Sequence, residues 1–269
     1  MSRITQEFHR ITTEGRKGFI PFVTAGDPGI DTSVAIILKL AELGADVIEL
    51  GIPFSDPMAD GPTIQRSSER ALANGVDVST VLSIARRVRE KTETPLVLFS
   101  YLNPLLRYGF KNVCREAADA GVDGLLITDA IDDEAVEFAT ELRNCGLDLI
   151  SLIAPTTTDE RLEQIAKRSS GFLYAVSRAG VTGMQDSVSS DAQKLVERAR
   201  RYTEFPIAVG FGISTRQQIL DVWRFADAAV VGSAIVADIE RSSEDDPLSS
   251  VEALIRGLLP QFAKSGAEL

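Results

Sequence analysis

Cysteine, histidine and tryptophan are scarce in this 269-residue chain, which has two cysteines, Cys114 and Cys145, one histidine, His9, and one tryptophan. Two cysteines in helix-like segments do not frame a disulfide scaffold or a cysteine metal site, and they fit a reducing compartment. A lone histidine in the N-terminal stretch, away from any strand end, argues against histidine-dependent catalysis and histidine-rich metal binding; no metal site is expected. Positive charge is also short. Lys and Arg number 28 against 39 Asp and Glu, a net charge of −11, and no basic cluster is long enough to track a phosphate backbone, so nucleic acid is not an expected partner. No segment is apolar for long enough to span a bilayer, and Met1 to Gly18 is polar and mixed in charge, unlike a secretory signal; the reading is cytoplasmic, with no membrane partner. Neither GxxxxGK followed by Ser or Thr, nor GxGxxG after the first strand, occurs, so nucleoside triphosphates and dinucleotides are not indicated.

What is present is ordinary globular composition, 44% hydrophobic and 25% charged, arranged with a strong alternation. Short apolar runs at Gly18 to Thr24, Ala45 to Leu50, Pro95 to Tyr101, Gly124 to Thr128, Asp148 to Ile153, Gly171 to Ser177, Pro206 to Val209 and Ala228 to Val231 read as strands, each followed by a helix-like segment. Such alternation implies a parallel sheet. Eight units without a linker-like composition break favour closure over an open doubly wound sheet. The expected fold class is α/β, a (β/α)8 TIM barrel as a single domain over residues 1–269. An extra helical segment, Pro62 to Ala73, follows strand 2, and Arg178 to Ser190 reads as a mobile loop.

The segment from Val47 to Pro62 runs an apolar strand into a loop with three carboxylates. Glu49 falls at the strand end, where desolvation raises a carboxyl toward the range useful for proton transfer. Asp60 follows on a loop stiffened by Pro53, Pro57 and Pro62. Carboxyls in such unlike surroundings can divide acid and base work. The alternative is that Glu49 pairs with an arginine and Asp60 caps the helix beginning at Pro62. Glycine at the ends of strands 7 and 8, in Gly210-Phe211-Gly212-Ile213-Ser214 and Gly232-Ser233-Ala234-Ile235-Val236, suits an anion site where backbone N–H groups and a helix N-terminus converge. A side chain at Gly212 is expected to fill the space through which those groups reach the anion. Gly180-Val181-Thr182-Gly183 can close over the same place. The competing view is that these glycines only make tight turns.

With these segments and Phe19 to Pro28 taken in order, the chain resembles the tryptophan synthase alpha subunit family over nearly its whole length. The resemblance implies retro-aldol cleavage of indole-3-glycerol phosphate to indole and glyceraldehyde 3-phosphate, without metal or organic cofactor. It assigns Glu49 as the principal acid/base group and Asp60 as its partner at the indole nitrogen. An apolar slot for indole is expected from Phe22, Ile64, Phe99, Leu126, Ile153, Tyr174 and Phe211, although most of these also suit a barrel core. By resemblance Thr182 holds Asp60, and Tyr101 lies near the glycerol chain or Glu49. The phosphate falls to Gly183, Gly212, Gly232 and Ser233.

The resemblance further implies a beta subunit as partner, in an α2β2 heterotetramer. Asp56, Pro57 and Asn103 match segments facing it, and Arg107 adds a charge nearby. Where the family tends to read Asp-Leu-Pro after the fourth strand, this chain reads Asp129-Ala130-Ile131, a departure on the partner side. A stand-alone lyase and a silent activating subunit are the alternatives. A sugar-phosphate isomerase is less favoured for want of a Lys, His or metal-carboxylate cluster at the strand ends.

Overall fold

Side chains alternate across each short strand, and here both faces of the strands are apolar, which places the sheet between two cores. The computed structural model describes residues 1–130, 132–176, 190–210, 212–242 and 245–260. Eight parallel strands close in chain order: β1 (Gly18–Thr24), β2 (Ile48–Gly51), β3 (Leu96–Ser100), β4 (Gly124–Ile127), β5 (Asp148–Ile153), β6 (Leu173–Val176), β7 (Ile207–Gly210) and β8 (Ala228–Val231). The register Gly18 to Ala228 through Pro21 to Val231 seals the barrel. Helices α1 (Arg3–Thr13), α2 (Ile30–Glu42), α3 (Pro62–Ala73) and α4 (Val78–Arg89) precede β3. Then come α5 (Leu102–Tyr108), α6 (Phe110–Asp119), α7 (Asp132–Asn144), α8 (Asp159–Arg168) and α9 (Ser190–Ala199). The last three are α10 (Arg216–Val222), α11 (Ser233–Ser242) and α12 (Pro247–Leu258). The extra segment after strand 2 is α3, begun by Pro62, whose fixed φ and missing N–H suit a first helical position.

Phe19, Val23, Ile48, Leu50, Leu96 and Leu98 face the helices in the outer core. Ile20, Val47, Val97, Leu126, Ile150 and Phe172 fill the barrel axis. The N-terminal stretch, read above only as polar, forms α1: Ile4, Phe8 and Ile11 recur on one helical face and close the base of the axis, with Phe8 5.5 Å from Phe172. Three aspartates at the same base stand just before β2, β4 and β8. Asp46, Asp123 and Asp227 accept the N–H of Phe19, Leu96 and Ile207 at 2.7, 2.8 and 2.9 Å, satisfying strand starts that have no ladder partner there.

Candidate active site

Glu49 pairs in register with Phe22 on one side and Val97 on the other, and alternation turns it inward with Val47. It is 1% exposed, and neither carboxylate oxygen has a hydrogen-bond partner. An arginine pairing, the structural alternative, is therefore absent among the described residues. With no compensating charge, burial alone raises the carboxyl to about 8. A group left unpaired in this way destabilises the fold, which is what a functional carboxyl at a strand end looks like.

Asp60 sits in the loop before α3. The helix is capped by Gly61 without a side-chain bond, so the capping role does not fall to Asp60. Its N–H instead donates to the Pro57 carbonyl at 3.0 Å and its own carbonyl accepts from Gln65 Nε2 at 2.9 Å, which fixes the loop and leaves the carboxylate to the site. Burial raises it to about 6, opposed by the neighbouring Tyr101 hydroxyl. That hydroxyl accepts the Ala59 N–H at 2.9 Å, anchoring the loop from β3's end. The charges of both Glu49 and Asp60 add to burial in holding the Tyr174 hydroxyl protonated, so the three groups share one field.

Phe22 and Ile64 form a buried cluster with Val236, and Phe99 packs on it with its ring 5.3 Å from Phe22, edge to face. Leu126 and Tyr174 continue the wall within the axial core. Ile153 does not belong here: it points into the outer core beneath the helices, and Leu152, its neighbour, faces inward, because successive strand residues take opposite faces. Val236 and Gly210, which the sequence places only in the two anion segments, also belong to the slot. Val236 was legible as the residue one turn into α11 from Ser233. The need for glycine at Gly210 was not legible, since it comes from the neighbouring strand β6: a Cβ there meets the Tyr174 hydroxyl and lies 2.7 Å from its Cζ. Gly210→Ala is expected to displace the Tyr174 ring, costing about 1–3 kcal/mol of stability and raising KM. Thermal unfolding and steady-state kinetics measure the two effects, and unchanged values of both refute the placement.

Where the sequence suggests an anion site, α11 starts directly from β8. Its first described helical bond runs from the Val236 N–H to the Gly232 carbonyl at 3.0 Å, so the N–H groups of Ser233, Ala234 and Ile235 precede the ladder. The start of α10 differs, because Gln218 Oε1 accepts the N–H of Ser214 and Thr215 at 2.8 and 3.2 Å in a capping box with Thr215. Gly212 has φ +79, a left-handed backbone that favours glycine, and nothing among the described residues lies within 4 Å of a Cβ built there, so the space a side chain would fill is open. Gly232 is set by proximity, its Cβ position lying 3.3 Å from Phe22 Cβ.

Asp56, Asn103, Arg107 and Asp129 are exposed and Pro57 is half-buried. Asp129 accepts the Leu102 N–H at 2.7 Å, tying the turn after β4 to α5. Met58 and Leu106, 86% and 53% exposed, add apolar surface beside these residues that the sequence reading passed over. Ile131, Thr182, Gly183 and Phe211 lie outside the described residues, as does the Arg178 to Ser190 loop up to residue 189.

The family model described as tryptophan synthase alpha chain matches residues 8–258. The tryptophan synthase alpha chain of Citrifermentans bemidjiense is 46% identical over 263 residues, covering 96% of this chain and 98% of the relative. That of Solibacter usitatus is also 46% identical, covering 97% and 98%. Among solved structures, tryptophan synthase subunit alpha from Legionella pneumophila superposes with a TM-score of 0.88 at 36% identity, over 96% of this chain and 97% of that one. A chain of Mycobacterium tuberculosis tryptophan synthase gives 0.88 at 37% identity, over 96% of each.

Proposed function

The chain belongs to the tryptophan synthase alpha chain family, and from that premise we propose how its residues divide the family reaction. The protein is a carbon–carbon lyase of tryptophan biosynthesis, cleaving indole-3-glycerol phosphate to indole and glyceraldehyde 3-phosphate. In balance, one proton leaves the carbinol oxygen and one arrives at indole C3. The pair of electrons in the broken carbon–carbon bond stays with the ring, and the carbinol carbon becomes the aldehyde. Glu49, still protonated at neutral pH, delivers the proton to C3 and then, as carboxylate, takes the proton of the hydroxyl. Asp60, ionised above about 6, faces the indole N–H, where positive charge gathers once C3 is protonated.

The observation that carries this assignment is the pair of carboxyls at one barrel end with separated titration, Glu49 near 8 with no partner and Asp60 near 6. Phe22, Ile64, Phe99, Leu126 and Tyr174 supply the indole slot, with Phe211 and Thr182 added by resemblance. Ser233 and Gly232 at the start of α11, with Gly212 and, by resemblance, Gly183, take the phosphate. No cofactor enters the scheme. The whole chain acts as one barrel domain. No helix among the described residues is long and apolar enough to cross a membrane, and the reading is cytoplasmic.

A beta subunit is the partner that goes with this family, and the α2β2 assembly belongs to the proposal. Asp56, Pro57, Asn103, Arg107, Asp129 and Ile131 form the docking side. A coupled assay for glyceraldehyde 3-phosphate, with and without a cognate beta subunit, tests both levels. Slow turnover alone and stimulation on docking are expected; an open-to-closed gap of ~2 kcal/mol permits roughly thirtyfold. Equal rates in the two arms support a stand-alone lyase instead.

A further inference from the structure

Two helices that frame the site are joined by charges the reaction does not use. Arg70 on α3 grips Asp27, in the loop after β1, through Nε and Nη2 at 2.8 and 2.7 Å, and Ser67 donates to the same carboxylate at 2.6 Å. The other terminal nitrogen of Arg70 reaches Glu240 on α11 at 2.8 Å. Arg66, one turn earlier on α3, closes on Glu240 with two bonds of 2.7 Å. Asp27 is 3% exposed, and the Arg70 and Glu240 side chains are 29% and 28% exposed, so the cluster is shielded without being sealed.

The helical spacing gives these bonds a consequence for the site. On α11, Ser233, Val236 and Glu240 lie three and four residues apart and share a face. That single face presents the phosphate end, a wall of the indole slot and the anchor. On α3, Ile64, Ser67 and Arg70 follow at intervals of three, and Ile64 packs against Val236 and Phe22. Sliding α11 against α3 therefore changes the distance between slot and phosphate end. Bidentate guanidinium–carboxylate bonds resist such sliding better than apolar contact, because they fix direction as well as distance.

We infer that Arg70 and Glu240 are positioning residues: the Asp27–Arg70–Glu240–Arg66 cluster sets the span between indole slot and phosphate end, favouring a substrate that fills both at once over fragments that fill one. The inference rests on the function proposed above. It predicts a split that mere loss of stability does not produce. In the full chain, Glu240→Gln keeps the shape of the side chain and removes the charge both guanidiniums hold. KM for indole-3-glycerol phosphate is expected to rise about tenfold, as for loss of one charge-assisted contact. Affinity for glycerol 3-phosphate alone, which occupies only the phosphate end, stays within about twofold. Arg66→Gln, at a half-exposed position, leaves Asp27–Arg70 intact and is expected to shift KM in the same direction by less, which keeps the test available should Glu240→Gln fold poorly.

An unchanged KM with only a lower melting temperature overturns the inference. So does a parallel loss of glycerol 3-phosphate affinity, which places the damage at the start of α11 itself. A parent chain that neither cleaves indole-3-glycerol phosphate nor binds glycerol 3-phosphate overturns the proposed function and this inference together, and the parent controls separate that result from failure of the inference alone.

Discussion

Glu49→Gln is expected to lower cleavage of indole-3-glycerol phosphate by at least about 10²-fold, the contribution of a positioned acid/base group. The amide keeps the volume of the carboxyl and gives up only its proton. Since the carboxyl has no partner to lose, the variant is expected to be as stable as the parent or more so. The stability difference has a definite pH dependence. The folded carboxyl titrates near 8 against an ordinary 4.5, so between those values the folded state holds a proton the unfolded chain has lost. Parent stability accordingly falls as pH rises from about 4.5 to about 8 and then levels, whereas the glutamine variant lacks that contribution. Melting temperatures across this range, with coupled-assay rates, give both readouts. Turnover within about tenfold of the parent removes Glu49 from the chemistry.

Asp60→Asn is expected to cost roughly 10²-fold in kcat/KM, because an amide cannot balance positive charge developing at the indole nitrogen in a water-poor site. The parent needs Asp60 ionised and Glu49 protonated. Its rate should rise with pH through about 6 and fall through about 8. Asparagine removes the acidic limb and leaves the alkaline one. Rates of both proteins across that interval decide the matter: an acidic limb that persists in the variant assigns it to another group and reduces Asp60 to fixing its loop.

The parts of this molecule readable from sequence are those where one residue's environment is set by its chain neighbours. The strands Gly18–Thr24, Asp148–Ile153 and Ala228–Val231 and the helix Pro62–Ala73 stand where the apolar runs and the proline placed them. Glu49 stood out because an acid inside an apolar strand has few structural uses. Strand β2 begins later than its apolar run, at Ile48, since Asp46 is drawn to the Phe19 N–H on the neighbouring strand. Helix α1 was masked by its charges, although Ile4, Phe8 and Ile11 carry the helical interval. Ile153 was misassigned for a simpler reason: a strand-end apolar residue was read without fixing which face it takes. Gly210 and the Arg70 cluster were beyond reach, because Tyr174 lies on another strand and Arg70's partners stand 43 and 170 residues away.

The stopper that α1 makes at the base of the barrel bears on the route of product release. Away from the loop end the axis is packed by Ile20, Ile150 and Phe172 in one buried cluster with Ile4, Phe8 and Ile11 of α1. A planar apolar molecule formed beside Glu49 therefore has the loop end as its way out. Met58, Asn103, Leu106 and Arg107 stand exposed at that same end. An occupant of this rim would stand across that way out, with the barrel serving as a closed-bottomed vessel.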